Sequence, residues 1–338
     1  MRLPRRKFLH LAAAALTLGA ARAEDNKYVM KISGPTINDA PHLFMKNYAA
    51  AVERNSGGRI KGEVYPASQL GSIPRQIEGA QFGAIQAVNI PPEFFVGVDE
   101  RFEVMTAPGL VDSMEHGQRV AADPAVLKLM LGLGAKKGLH GVGLFMAQPS
   151  SIISKTPIRH LADFKGKKIR VFASKFQTTA LQRLGATPVA MTLADVLPAL
   201  QQGAIDGAVA GLGPFVSMHF QDAAKYVVET NQPGIFVVLE ISQKWYDSLP
   251  EDLRQIIDQD GRSESLAINP LALKMYGDQR KAWLADGGEL ISLPADEQAA
   301  MMKILSSVGE DVSRSRPSLH EAFEIVADAA RRTHQTPT

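Results

Sequence analysis

Short apolar runs of strand length alternate with helical patterns along nearly the whole of this sequence, and that rhythm leaves few architectures open. Residues 28–33 read as a strand. Residues 43–53 follow with helical spacing (Leu43, Met45, Tyr48, Ala49, Val52) until Gly57-Gly58 stops them. Further strands read at 60–65, 85–88, 139–145, 168–171, 187–190, 226–229 and 235–241. Helical patterns read at 77–81, 178–184 and 195–202, from Pro250 to Trp283 with a break near Pro270, and at 296–308 and 319–331. Strands separated by helices predict an α/β protein with largely parallel sheets, and 338 residues suffice for two domains. Two helix starts carry explicit chemistry. Thr192-x-x-Asp195 has the form of a capping box, and Ser248-Leu249-Pro250-Glu251 sets a serine before a proline suited to the first helical position.

Residues 1–23 stand apart and read as a cleaved export signal. A basic start (Arg2, Arg5, Arg6, Lys7) precedes the apolar stretch 11–21, and Ala21-Arg22-Ala23 matches a small-x-small cleavage pattern. The stretch is too short and too alanine-rich for a membrane span, which is the alternative reading. Arg5-Arg6-Lys7-Phe8-Leu9 resembles a twin-arginine export motif. Removing five basic residues from 37 leaves 32 against 35 acidic ones, so the mature chain carries a net charge of −3. The expectation is a soluble protein exported to the periplasm.

Several chemistries are excluded. There is no cysteine, hence no disulfide framework, thiolate nucleophile or Cys-ligated metal. Near-neutral charge without a long basic run argues against nucleic acid as a partner. No G-x-S-x-G elbow occurs. Gly166-Lys167-Lys168 lacks the upstream glycine and following hydroxyl of a phosphate loop, and Gly132-Leu133-Gly134 lacks the third glycine of a dinucleotide fingerprint. The eight histidines are scattered without an H-x-x-x-H pair. The sequence implies no cofactor and no metal-ligand set, and for an exported chain this favours binding over catalysis.

An ordered set of motifs resembles the extracytoplasmic solute receptors of TRAP transporters, the dicarboxylate-type (DctP) group. It comprises Ser56-Gly57-Gly58-Arg59-Ile60 leading to Val64-Tyr65-Pro66-Ala67-Ser68-Gln69-Leu70-Gly71, then Gly166-Lys167-Lys168-Ile169-Arg170-Val171. Leu184-Gly185-Ala186-Thr187-Pro188-Val189 follows, and Ala199-Leu200-Gln201-Gln202-Gly203-Ala204-Ile205-Asp206-Gly207 comes next. Thr230-Asn231 and Trp245-x-x-x-Leu249-Pro250 close the set. The resemblance implies a two-lobed periplasmic binding protein fold with mixed sheets, hinge strands and a long helix crossing both lobes. It implies lobe I from 24–147 plus 236–275 and lobe II from 148–235 plus 276–333. It further implies capture of a small organic acid in the interlobe cleft, hinge closure, and delivery to a permease of one small and one large membrane subunit, by a receptor that is usually a monomer. The rival readings are an exported enzyme loaded with its cofactor before export, the binding protein of an ATP-driven (ABC) importer, and a receptor that feeds a sensor kinase.

The residue that carries binding in this family is the arginine of the G-x-K-I-R-V motif, here Arg170. A guanidinium offers a planar fork that meets a carboxylate bidentately and keeps its charge; the competing role is a structural ion pair. This chain departs from the family pattern elsewhere. Ser150 stands where many members have a second arginine, Leu193 where they have an aromatic ring, and Leu197 where they have a tyrosine. Asp206-Gly207-Ala208-Val209-Ala210 replaces a run bearing a ligand-bonding asparagine. A dicarboxylate needs a second cation, because an unpaired buried carboxylate costs several kcal/mol; Lys175 and His219 are the substitutes in view. The expected ligand is therefore a monocarboxylate with an apolar or aromatic body, such as an aromatic or branched keto- or hydroxy-acid, packed on Phe172 and Phe215. Thr36 and Asn38 (loop after the first strand), Asn89 (after the 85–88 run) and Gln69 are further expected contacts, with commoner structural roles competing at each.

Overall fold

The structure is a computed structural model that describes residues 28–172, 174–230 and 232–334. The expected export signal, Asn231 of the Thr230-Asn231 motif and the last four residues lie outside the described residues. The described strands form two sheets. The first has the order β2-β1-β3-β10-β4, built from β1 (Tyr28–Ser33), β2 (Ile60–Tyr65), β3 (Ala87–Ile90), β4 (Leu139–Pro149) and β10 (Gly234–Ser242). The second has the order β11-β9-β5-β8-β6-β7. Its strands are β5 (Ser151–Ser154), β6 (Lys168–Val171), β7 (Thr187–Ala190), β8 (Gly207–Ala210), β9 (Tyr226–Val228) and β11 (Glu289–Ile291).

Both sheets are mixed, as the resemblance implies, rather than largely parallel. β1–β2, β1–β3, β6–β7, β6–β8 and β9–β11 run parallel; β3–β10, β4–β10, β5–β8 and β5–β9 run antiparallel. Each antiparallel pair includes a strand that adjoins a crossing between the sheets. β4 leaves the first sheet at Pro149 and continues through Ser150 as β5 of the second. β10 of the first sheet follows β9 of the second in the chain, and the Ser150 amide donates to the Pro233 carbonyl (3.1 Å), tying the two crossings together. Strand rhythm cannot reveal such crossings, because it carries no information about which sheet a strand joins.

The helix Ala40–Asn55 shows how one element is specified. Asp39 caps it, its Oδ1 accepting from the His42 amide (3.1 Å), and Pro41 lies in the first turn. The helix ends at Ser56, where Gly57 and Gly58 take φ of 64° and 81° that other residues adopt at a cost. Its inner face (Phe44, Tyr48, Val52) is fully buried, Phe44 stacks on Phe145 of β4 (4.6 Å between centroids), and Tyr48 donates to the Ile257 carbonyl (3.2 Å). Each such apolar side chain contributes roughly 1.5–3 kcal/mol of transfer free energy.

Ile257 belongs to the helix Glu251–Ala285, which runs unbroken through Pro270. The expected break is absent. Pro270 lies on the exposed face, so the carbonyl one turn back that loses its amide partner faces water. Pro250 is the residue before this helix, not its first position, and Ser248 instead ends the short helix Gln243–Asp247, its hydroxyl donating to the Trp245 carbonyl. At about 1.5 Å per residue the long helix spans roughly 50 Å, enough to touch both sheets. Near its start, Gly261 lies against β4. At its end, Trp283 is fully buried beside Phe215 (6.5 Å between centroids) and its indole donates to the Glu289 carbonyl (3.3 Å). The helix Pro317–Thr333 packs on segment Glu100–Thr106 and on helices Met114–Ala122 and Pro124–Gly132.

A Cβ on Gly261 would lie 2.6 Å from the Val142 carbonyl oxygen and 2.9 Å from the Val142 Cβ. Alanine ordinarily stabilises a helix interior by up to about 1 kcal/mol over glycine. Here backbone meets backbone and cannot yield cheaply, so overpacking of about 1–3 kcal/mol wins. Gly261→Ala is expected to lower stability in urea denaturation; a gain would show that the helix shifts freely on the sheet.

Candidate functional site

The parallel strands β1, β3, β6 and β8 end facing one another across a narrow cavity of about 50 Å³, room for a few water molecules. From the first-sheet side come Pro35, Thr36 and Asp39 of the loop after β1, Asn89 of β3, Phe94, and Ala147 and Gln148 of β4. From the second-sheet side come Phe172 after β6, Leu193 opening the helix Leu193–Gln201, and Ala210 and Gly211 at the end of β8. The carboxyl end of open α/β strands is where crevice ligands bind. The wall is mostly apolar, and Asp39 is its one charged lining residue among those described.

Arg170 stands behind this wall at full burial. Its Nε donates to the Met191 carbonyl (3.0 Å) and Nη1 to the Val209 carbonyl (2.8 Å), while Nη2 has no hydrogen-bond partner among the described residues. The guanidinium lies over the Phe172 ring, 4.5 Å from its centroid, and Phe172 meets Phe94 edge-on at 5.5 Å across the cavity. Among the described residues no carboxylate reaches Arg170 within 4.0 Å. Burial pulls its pKa down to about 10, opposed by the charges of Glu93 and Asp195. Two strand-end carbonyls thus fix the orientation of a desolvated cation that lacks a counter-ion, an arrangement that favours an incoming anion.

Two buried carboxyls complete the electrostatics. Burial pushes Asp39 up to about 6; the nearby Thr36 hydroxyl opposes this, and so does the His42 amide, which donates to Oδ1. Burial pushes Glu93 up to about 7, with Arg170 opposing.

The two sides are fastened together around the cavity. Gly213 donates to Gln148 Oε1 (3.0 Å), the Lys175 amide to Glu103 Oε2 (2.6 Å), and the Thr106 and Ser174 hydroxyls share a bond of 2.6 Å. Burial pushes Glu103 up, and the Lys175 amide and then Arg316 oppose that. The structure is therefore a closed arrangement.

The other residues singled out in the sequence divide. Thr36, Asn89, Phe172, Leu193 and Ala210 line the cavity. Asn89 does so from within β3, paired with Leu239, because the strand spans Ala87–Ile90 rather than 85–88. Ser150 is buried in the sheet crossing, its hydroxyl without a partner among the described residues. Phe215 is core, packed on Phe220 and Trp283, and its neighbour Pro214 lines the cavity instead. Asn38 and Gln69 are exposed, as are Lys175 and His219, so neither proposed second cation faces the cavity. Thr192 makes no capping bond to the backbone; its hydroxyl donates to Asp195 Oδ2 (2.6 Å). Asp39, Glu93 and Gln148 were not legible as site residues. Asp39 had a faint signal, an Asp at a helix start, but that spacing reads as a cap.

Two sheets joined by crossing strands and a long helix, closing on a cavity between them, make this a two-lobed solute-binding protein. Residues 35–315 match the family model of bacterial extracellular solute-binding protein family 7 (DctP), and the chain belongs to that family. It is similar to the C4-dicarboxylate-binding periplasmic protein DctP of Rhodobacter capsulatus, 27% identical over 309 residues that cover 90% of this chain and 92% of the relative. It is 30% identical to a solute-binding protein of Albidiferax ferrireducens, over 73% of this chain and 75% of that one. Its fold matches a TRAP periplasmic solute-binding protein from Desulfovibrio salexigens with bound orotic acid. That match has a TM-score of 0.85 at 22% identity and covers 91% of this chain and 100% of the other. The chain is thus a solute receptor of the TRAP class and not an enzyme. Among the described residues no helix is long and apolar enough to cross a membrane.

Proposed function

We propose that this protein is a periplasmic receptor that binds a small monocarboxylate with an apolar or aromatic body in the interlobe cleft. It then delivers that acid, as a monomer, to a TRAP permease of one small and one large membrane subunit. The observation that carries the reading is Arg170: a fully buried guanidinium with a free Nη2 and no carboxylate partner among the described residues, directly behind an apolar cavity. The absence of a second cation from the lining weighs against a second carboxylate. Lobe I is drawn from 24–147 plus 236–275 and lobe II from 148–235 plus 276–333, with the helix Pro317–Thr333 reaching back to dock on lobe I elements. The cavity is too tight for entry in the closed form, so binding proceeds by opening at the strand crossings and closing on the ligand. Contacts made only in the closed form shift the population toward it.

A thermal-shift panel tests this. An aromatic or branched monocarboxylate at a hundred times its dissociation constant is expected to add about 2.7 kcal/mol of stability. The Rhodobacter relative is named for C4-dicarboxylates and the Desulfovibrio structure holds orotic acid, so succinate, malate and orotate belong in the panel. Tight binding of succinate or malate alone would overturn the monocarboxylate preference; no shift with any acid would overturn the receptor reading.

A further inference from the structure

Polar atoms buried without a partner show what a closed cleft is built to receive. On the first-sheet wall, Asn89 donates its amide nitrogen to the Pro41 carbonyl (3.1 Å), which fixes Oδ1 as an acceptor, and that oxygen has no partner among the described residues. Asp39 uses Oδ1 to cap its helix, and Oδ2 likewise has no partner. Both residues line the cavity, and both atoms are oxygens that only accept when Asp39 is ionised. Across the cavity the free group is Arg170 Nη2, which only donates. Apart from the Thr36 hydroxyl beside Asp39, which is also without a partner among the described residues and can donate or accept, the two walls therefore have opposite hydrogen-bond polarity. A ligand carboxylate satisfies Arg170 but sets oxygen against oxygen at Asp39 and Asn89.

Charge narrows the choice. Asp39 is the charged lining residue, and Glu93 stands near Arg170 behind the wall, so carboxyls already outnumber the cation around the cavity. A second ligand carboxylate would deepen that imbalance in a buried site, a hydroxyl would leave it, and an ammonium would reduce it. The geometry points to a zwitterionic ligand: we propose that the cleft takes an amino acid with an apolar side chain, its carboxylate on Arg170 and its ammonium received by Asp39 and Asn89. This rests on the receptor reading above and names the ligand of that same cleft.

Titration calorimetry at pH 7.5 tests it with matched sets: phenylalanine, 3-phenylpropanoate and 3-phenyllactate, and valine with 3-methylbutanoate. In at least one set the amino acid is expected to bind about tenfold or more tighter than its deaminated partner, the scale of one charge-assisted contact. Asp39→Asn keeps the size of the side chain and a cap oxygen for the His42 amide but turns a donor toward the cavity. It is expected to erase that preference, lowering amino-acid affinity about tenfold or more relative to the deaminated acid in the same variant; its thermal midpoint reports folding. Equal affinity of amino and deaminated acids, or equal losses for both in Asp39→Asn, would overturn the proposal. A hydroxy acid as tight as the amino acid would overturn the ammonium assignment. Binding of succinate or another acid without any amino acid overturns the zwitterion and leaves the receptor reading standing; binding of no acid brings down both.

Discussion

Lysine in place of Arg170 is expected to lower affinity for the carboxylate ligand by about 100-fold or more while the protein stays folded. The guanidinium does three things that one ammonium cannot do together. Nε and Nη1 hold the Met191 and Val209 carbonyls, the flat face lies on Phe172, and Nη2 stays free toward an anion. An ammonium is a point charge on a flexible stem, without a fork or a stacking plane. If it turns to the two carbonyls it leaves the ligand, and if it turns to the ligand it leaves the carbonyls unsatisfied. Calorimetry with the tightest acid of the panel measures the loss. Arg170→Met sharpens the test: it removes a buried charge but also takes the donors from the Met191 and Val209 carbonyls, so the ligand-free melting point reports the balance of the two while binding disappears. Unchanged affinity in Arg170→Lys would reduce Arg170 to a strut between β7 and β8.

Glu240→Gln is expected to stabilise the protein at pH 7 and above, by a margin that grows with pH. Glu240 is fully buried on β10 between Val88 of β3 and Gly141 of β4, and neither carboxyl oxygen has a partner among the described residues. Gly134 leaves it room, since a Cβ there would sit 3.0 Å from Oε2. Burial alone pushes this carboxyl well above the usual range. The sign follows from proton counting. Between the unfolded pKa and the raised folded one, the folded state holds a proton that the unfolded state releases, so stability falls as pH rises through that window. One proton corresponds to about 1.4 kcal/mol per pH unit, and glutamine, which cannot ionise, escapes the penalty. Asp39 and Glu93 act in the same sense up to about pH 6 and 7. Asp163, held low by the Arg159 and His160 amides, acts in the opposite sense as pH falls. All three are common to both proteins and cancel in the difference. Urea denaturation of the pair from pH 4 to 9 is the measurement, and a difference constant with pH would show that Glu240 is ionised in the folded state.

The sequence alone determined much of this protein. Period-two and helical spacing placed β1, β2, β6, β7 and the long helix, because those signals are local and strong. The chemistry of guanidinium at the end of an apolar strand, with the ordered motifs around it, singled out Arg170. Three strands escaped although β6 and β7 are no longer: β5 follows β4 after a single residue and merges with its run, β8 is Gly-Ala-Val-Ala, too small for a periodic signal, and β11 has only three residues after Gly287-Gly288.

Only the tertiary structure decided which strands cross between sheets, and that Phe215 belongs to the core while its neighbour Pro214 faces the cavity. It also showed that the expected second cations lie in water. It revealed Asp39 as both a helix cap and a wall of the cleft, two roles that one local spacing cannot distinguish. The physical reason is the range of the interactions. Helix and strand preferences depend on neighbours a few residues away. Desolvation and the pairing of a buried charge depend on groups brought together from residues 39, 89, 170 and 210, and their sum exists only once the chain has folded.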